Sequence, residues 1–492
     1  MSRDLLLAID QGTTSTRAIA FDRRLRAVAT AAVPLVTHHP RPDWAEQDAE
    51  AILDSVVVSV AGVLDEVGGP GRILAAGLAN QGETVVAWDA DTMLPLAPAV
   101  SWQCRRSLPI VERLRARGVE DEIRARTGLP LDPYYSAGKL AWLLTEHAAV
   151  RAAAEAGTVR LGTVDAWLTA RLGDRGPLTD SSTASRTQLL SLAGLGWDPE
   201  LLGWFGVARD ALPRLVPTAG DLGTLRDRRW GGSIPLRAMA CDQQAALAGH
   251  AGFDAGAMKA TYGTGVFIVA NAGARRAPVG LVETSIGWSL PDGSTPSVLQ
   301  AGVLTAGSFV AWLRDELRLV ESAADTEVLA ESVPDTAGVR VLPALAGLAA
   351  PWWRPDVRAV IAGLTPGAGP AHIARAALDG IAHSVADVVD AMADALSQAP
   401  GVLRADGGMT ANGYLMRRQA DLLGIPVELA SSEESTALGA AALAGIGAGV
   451  VNPADVARAN PSRARLEPRL SRGDRTSERA AWREFVASVG AR

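Results

Sequence analysis

Two segments of the chain, one in each half, follow the same plan: a short apolar run, a tip of glycine and hydroxyl residues, then a second apolar run. The first joins Leu5–Ile9 through Asp10-Gln11-Gly12-Thr13-Thr14-Ser15 to Arg17–Asp22. The second joins Met258–Tyr262 through Gly263-Thr264-Gly265 to Val266–Val269. A short apolar run closed by a turn signal predicts a buried strand, so each segment reads as a β-hairpin. One such hairpin per half predicts an internal duplication of the architecture. A chain of 492 residues has room for it, in two large domains or about three smaller ones.

Between the hairpins, short apolar strand candidates alternate with stretches carrying apolar residues at helical spacing, notably Asp48–Val67 and His372–Leu396. The alternation predicts an α/β fold with mixed sheets. Glycine and alanine replace the denser pattern over Gly249–Gly256. That break predicts domains over 1–249 and 250–460, followed by a charged, peripheral tail over 461–492.

Composition removes several classes of function. With 48% hydrophobic and 21% charged residues the chain is not disordered. Lys and Arg total 47 against 54 Asp and Glu, a net charge of -7, which lacks the basic field of a nucleic-acid binder. Cys104 and Cys241 are too few for a disulfide framework or a multi-cysteine zinc site. The small-apolar run Ala437–Val451 is too short to span a membrane, and Leu5–Ile9 is too short for a signal peptide. A cytoplasmic protein without membrane or nucleic-acid partners is expected.

Four places carry residues suited to chemistry. At the first hairpin tip, backbone N–H groups and the hydroxyls of Thr13, Thr14 and Ser15 can cradle phosphate, and the Asp10 carboxylate can hold Mg²⁺. The alternative there is a plain turn. Asp406-Gly407-Gly408, an apolar lead-in ending in paired glycines before a helical stretch over Asn412–Leu423, can seat an anion or adenosine group, or be a tight strand-to-helix turn. Asp242 ends the apolar run Leu236–Ala240 and opens a small-residue helix, so it can serve as a helix cap or as a base aimed into a cleft; for an isolated Asp the cap is the commoner role. Trp102, Tyr134 and Tyr135 with Glu83 have the composition of a sugar-handling wall. No G-x-x-x-x-G-K-[ST] occurs, no G-x-G-x-x-G follows a strand, and the six histidines show no metal-binding spacing.

Taken in order, eight motifs resemble one family. They are Asp10–Ser15, Asn80-Gln81-Gly82-Glu83-Thr84, Asp132-Pro133-Tyr134, Thr179-Asp180 with Ala184-Ser185-Arg186-Thr187, Asp242-Gln243-Gln244, Thr261–Gly265, Asp406-Gly407-Gly408 and Thr436–Ala441. Over about residues 5 to 460 the chain is similar to the FGGY carbohydrate kinases, within them to the glycerol kinase branch. The resemblance implies two actin-like (ribonuclease H-like) domains with a cleft between them, substrate and phosphate on the N-terminal side and nucleotide on the C-terminal side. It implies transfer of the ATP γ-phosphoryl group to a terminal hydroxyl of a small polyol or sugar, glycerol to glycerol 3-phosphate being the leading case, by a homodimer or homotetramer. Asp10 would organise Mg²⁺, and Thr13, Thr14, Ser15 and Arg17 would hold phosphates. Asp242 would accept the proton of the attacking hydroxyl. Thr264, Gly307, Gly408 and Asn412 would line the nucleotide side. Glu83, Trp102, Tyr134, Gln243 and Phe267 would join Asp242 on the substrate side.

The chain departs from that pattern at four places. Gly82 stands where glycerol kinases carry an Arg, Cys104 where an Asp is expected, Ala311 in place of a Gln, and the Gly/Arg-rich loop around Arg228–Ser233 is shortened. Losing the Arg removes donors to substrate hydroxyls and is expected to open space beside the substrate, which would admit a tetritol, pentitol or ketose. A non-catalytic actin-like nucleotide sensor is the reading from another class; the presence of Asp242 together with Asp10 disfavours it.

Overall fold

The computed structural model describes residues 3–274, 277–278, 280–396 and 398–489. Both expected hairpins form: Leu5–Gln11 pairs antiparallel with Ser15–Phe21, and Met258–Tyr262 with Val266–Ala274. Each is the nucleus of a large mixed sheet. The first has the spatial order Thr224–Asp227, Gly232–Cys241, Ile73–Asn80, Leu5–Gln11, Ser15–Phe21, Ala27–Pro34. The second runs Glu283–Ile286, Pro296–Val303, Val266–Ala274, Met258–Tyr262, Leu403–Asp406, Val427–Ala430, Ser462–Leu466. In both, the first hairpin strand also pairs in parallel with a strand from much later in the chain. These inner strands read as continuous apolar runs because helices cover both of their faces: Leu6, Leu7, Ala8 and Ile9 have no exposed surface.

Side chains cap two of the helices at their N-termini. Asp48 accepts from Glu50 N ahead of the helix Ala49–Val67, and Asn412 accepts from Leu415 N ahead of Gly413–Leu423. The long helix Pro370–Ala395 lies on the second sheet with Leu378, Ile381, Val385 and Val388 fully packed against it.

The two halves meet through helices made of small residues. Asp242–Gly249 leaves the first sheet and crosses Ser435–Gly447 from the second half. A Cβ on Gly249 would collide with the Ser435 carbonyl, and one on Gly439 with the Ala245 carbonyl, so the backbones touch directly. Alanines complete this joint, among them Ala8, Ala79, Ala245, Ala248, Ala437 and Ala441.

The first half carries an extra layer. A four-stranded sheet of Glu46–Gln47, Ala99–Val100, Val85–Asp89 and Val159–Thr163, with its own apolar core, supports the loops that bear Trp102 and Tyr134. The region expected to be a peripheral charged tail is instead integrated. Ser462–Leu466 is an edge strand of the second sheet, and in the helix Arg472–Val489 the Trp482 ring stacks on His383 at 4.8 Å between centroids. Arg479 reaches Asp387 at 2.5 Å in the same patch. The charge pattern misleads here because the helix buries only one narrow face. Among the described residues no helix is long and apolar enough to cross a membrane.

Candidate functional site

Strand pairing brings the candidate groups together. In the first sheet Ile73–Asn80 lies between Leu5–Gln11 and Gly232–Cys241, all three parallel, with Gln11 opposite Asn80 and Asn80 opposite Cys241. Asp10, the Asn80-Gln81-Gly82-Glu83 turn and Asp242 therefore emerge at one edge of the sheet, the usual place for a site in an α/β layer. In the second sheet Thr261 lies opposite Asp406, so the Gly263-Thr264-Gly265 tip and Gly407-Gly408 emerge side by side.

Asp10 keeps some exposed surface but is surrounded by protein. Burial, then the carboxylates of Asp242 and Glu434, push its pKa up to about 7, against the opposing pull of Arg17. No described residue donates a hydrogen bond to it. Across the hairpin Arg17 is held by both carboxylate oxygens of Glu434 at 2.7 Å, a contact between the halves. The tip residue Thr14 is exposed, with Thr13 and Ser15 half-buried.

Asp242 is the first residue of its helix, with Cys241 at the cap position, so it is not the cap. Burial raises its pKa, and the N–H of Gln243 at 2.6 Å, the Cys241 thiol at 3.5 Å and the charges of Lys259 and Arg186 oppose that rise. Both hydrogen bonds fall on Oδ1. Beside it Gln243 offers its amide after giving Oε1 to Lys259 Nζ at 2.6 Å. Lys259 comes from Met258–Tyr262 in the other half, is wholly buried, and also donates to Thr261 Oγ1 at 3.0 Å.

The aromatic residues Trp102, Tyr134 and Tyr135 come together. Trp102 and Tyr134 meet edge to face at 5.7 Å, Tyr134 and Tyr135 at 5.2 Å. Trp102, Tyr134 and Phe267 line one open cavity of about 910 Å³ between the halves. Arg186 sits behind the wall with 1% of its side chain exposed, its guanidinium 5.3 Å from the Tyr135 ring. It binds Glu83 Oε1 at 2.7 Å and, from the other half, Glu283 Oε2 at 2.8 Å. Glu83 itself is buried, and burial raises its pKa against the pull of Arg186.

At the second hairpin tip, Thr264 is exposed and its carbonyl accepts from Ala306 N at 2.9 Å and Ser308 N at 3.0 Å. Gly307 opens the helix Gly307–Asp315, and a Cβ there would lie 2.5 Å from the Gly263 carbonyl. A Cβ on Gly408 would meet open space. The Asn412 side chain is committed to its helix and to Thr326 Oγ1 at 3.1 Å. Asp406 faces inward: burial raises its pKa, but the His250 hydrogen bond at 2.8 Å and the neighbouring charge hold it well below the usual carboxylate range.

Gly82 does not open the pocket in the way its small size suggests. A Cβ there would point at Cys241 Sγ, 2.5 Å away, so that direction is already filled. The sequence reading also leaves Arg186, Glu283, Lys259 and Glu434 without roles. A charged residue inside an apolar strand, as Lys259 is, was the available signal; Glu283 and Glu434 carry none, being brought in from distant chain.

Two actin-like lobes, each with a glycine- and hydroxyl-tipped hairpin at the end of its sheet and with carboxylates at the strand ends, define the class of phosphotransferases with a cleft between two lobes. Residues 5–249 match the N-terminal domain of the FGGY family of carbohydrate kinases and residues 258–448 its C-terminal domain. The chain is 44% identical to a glycerol kinase of Citrifermentans bemidjiense over 98% of both chains. It is 45% identical to a glycerol kinase of Thermus brockianus over 98% of this chain and 97% of the relative. A crystal structure of Plasmodium falciparum glycerol kinase with ADP superposes with a TM-score of 0.92 at 30% identity, covering 99% of this chain and 98% of that one. The protein belongs to the FGGY family and is an ATP-dependent carbohydrate kinase.

Proposed function

We propose that the protein transfers the γ-phosphoryl group of ATP to a terminal hydroxyl of glycerol, giving glycerol 3-phosphate and ADP. The 44% identity to a glycerol kinase across 98% of both chains carries this reading. In it, Asp242 takes the proton of the attacking hydroxyl while the new oxygen–Pγ bond forms and the bond from Pγ to the bridging oxygen of ADP breaks. Asp242 suits the task because Gln243 N and the Cys241 thiol fix Oδ1, and its raised pKa makes the carboxylate a better proton acceptor once ionised. Such transfer depends on positioning and charge neutralisation more than on covalent help.

Glu83, Gln243, Trp102, Tyr134 and Phe267 hold the polyol; Thr13, Thr14, Ser15 and Arg17 hold phosphate oxygens. Thr264, Gly307 and Gly408 line the nucleotide, with Asn412 contributing through the helix it caps. Asp10 fits Mg²⁺: an undonated carboxylate with two others nearby gains from a cation, and Mg²⁺ is usually held by one or two carboxylates plus phosphates. Bound there, it would neutralise phosphate charge. Two buried free cysteines support a cytoplasmic setting.

A second reading, the same chemistry on a tetritol, pentitol or ketose, draws on the size of the cavity, about 910 Å³. ADP release measured over glycerol, longer polyols and ketoses separates the two. The highest kcat/KM is expected with glycerol; a higher value with four or more carbons favours the second reading, and no ADP release with glycerol overturns the first.

A further inference from the structure

We infer that Gly82 and Cys241 are a size-matched pair whose fit holds the Asp242 carboxylate in place, which makes Cys241 a positioning residue for phosphoryl transfer. The inference rests on the reading of Asp242 as proton acceptor. Cys241 ends the strand Gly232–Cys241 in register with Asn80, so its side chain lies over the Asn80–Glu83 turn. Its backbone N–H is tied to Ser182 Oγ at 2.9 Å, and the residue is 1% exposed. The sulfur is confined on two sides. On one, a Cβ added to Gly82 would come within 2.5 Å of Sγ, closer than side chains tolerate. On the other, the thiol donates to Asp242 Oδ1 at 3.5 Å.

That bond and the one from Gln243 N both use Oδ1, leaving Oδ2 without a donor among the described residues. The carboxylate is thereby oriented with one oxygen anchored and one presented. Burial beside Asp242 and Glu83 pushes the Cys241 thiol up, so it stays a neutral donor at physiological pH. A methyl group at position 82 would have to displace Sγ, and the sulfur can move only by giving up Asp242. The same methyl group would sit 3.8 Å from Cys241 Cβ, an ordinary contact, so trimming the thiol to a methyl makes room for it.

Steady-state ADP release with glycerol and ATP, together with thermal unfolding, tests this in Cys241→Ala, Cys241→Ser, Gly82→Ala and the double variant Gly82→Ala/Cys241→Ala of the full-length protein. Cys241→Ala should lower kcat by about three- to tenfold, the range of one hydrogen bond, with KM for ATP unchanged. Cys241→Ser, which keeps a donor, should retain most of the activity. Gly82→Ala should lose kcat by about tenfold or more and unfold at a lower temperature. The double variant should recover both, to the level of Cys241→Ala. If Gly82→Ala does not fold, recovery of folded protein in the double variant is the supporting result. A double variant no better than Gly82→Ala, or wild-type kcat in Cys241→Ala, overturns the inference. Asp242→Asn, run beside them, separates the two ideas. Retained turnover there removes the base itself; its loss alongside unchanged Cys241 variants removes only the positioning role.

Discussion

The indole N–H of Trp102 donates to Thr13 Oγ1 at 2.8 Å. One hydroxyl of the first hairpin tip thus braces the Trp102–Tyr134 aromatic pair, although 89 residues separate Thr13 from Trp102 in sequence. Thr13→Ala should raise KM for the polyol as well as for ATP, each by roughly two- to tenfold, the value of a single hydrogen bond. Thr13→Ser keeps the hydroxyl and should leave the polyol KM near wild type. An effect on ATP alone would mean that the brace carries no energy.

Asp242→Asn keeps shape but not basicity. Turnover should fall by roughly 10²–10⁴ with nucleotide binding nearly unchanged, as measured by single-turnover ADP release and by calorimetric titration of ATP. Wild-type turnover would exclude Asp242 as the proton acceptor.

The buried carboxylates predict the pH profile. Burial raises the pKa of Asp242, and a base must be ionised to accept a proton, so kcat/KM should fall with decreasing pH well before the ordinary carboxylate range of about 4. Asp10, pushed up to about 7, adds a stability term of opposite sense. Its folded pKa lies above the unfolded one, so the folded protein holds the extra proton between about pH 4 and 7 and loses that stabilisation as pH rises through this window. Thermal unfolding should therefore show a larger rise in Tm from Mg²⁺ with ATP at about pH 8 than at about pH 5.5, where the bound proton competes with the cation. Equal shifts at both would count against a metal role for Asp10.

Arg186 joins Glu83 in one half to Glu283 in the other from a fully buried position. Replacing it with Met strands two carboxylates, and removing one partner of a buried ion pair typically destabilises by about 3–5 kcal/mol. Denaturant unfolding should show a loss of that size, and a loss below about 1 kcal/mol, typical of an exposed pair, would mean that water reaches the site.

Gly439 packs its bare Cα against the Ala245 carbonyl at the joint between the lobes. Gly439→Ala must part the two helices. Small-angle scattering with glycerol and a non-hydrolysable ATP analogue should show the wild type contracting and the variant contracting less, with kcat reduced in step. Equal contraction would place the hinge elsewhere.

The two hairpins, the helices that begin near Asp48 and Asn412, and the placing of Asp10 and Asp242 at strand ends were legible in sequence, because each rests on local periodicity or turn chemistry. What was not legible comes from long-range pairing. Arg17 meets Glu434 across 417 residues, and Arg186 meets Glu83 across 103. Gly82 shows the limit most plainly. A glycine reads as empty space, yet whether that space exists depends on Cys241, placed there by a strand pairing that sequence spacing does not reveal. The helix Arg472–Val489 was hidden because one face of Trp482, Phe485 and Val486 is outnumbered by charge.

Lys259 holds Gln243 from the strand whose far end becomes the Gly263-Thr264-Gly265 tip. The substrate pocket is therefore divisible for redesign. Tyr134 rides on a turn outside the main sheets and can be exchanged without touching the second lobe, whereas exchanging Trp102 gives up its bond to Thr13. Gln243 cannot be treated that way: its side-chain oxygen accepts from a cation rooted in the opposite lobe, so a substitution that removes this oxygen leaves the buried ammonium with Thr261 Oγ1 alone among its side-chain acceptors. Diversification of substrate choice on this scaffold should accordingly proceed through the aromatic wall, with the amide at position 243 the last element to change.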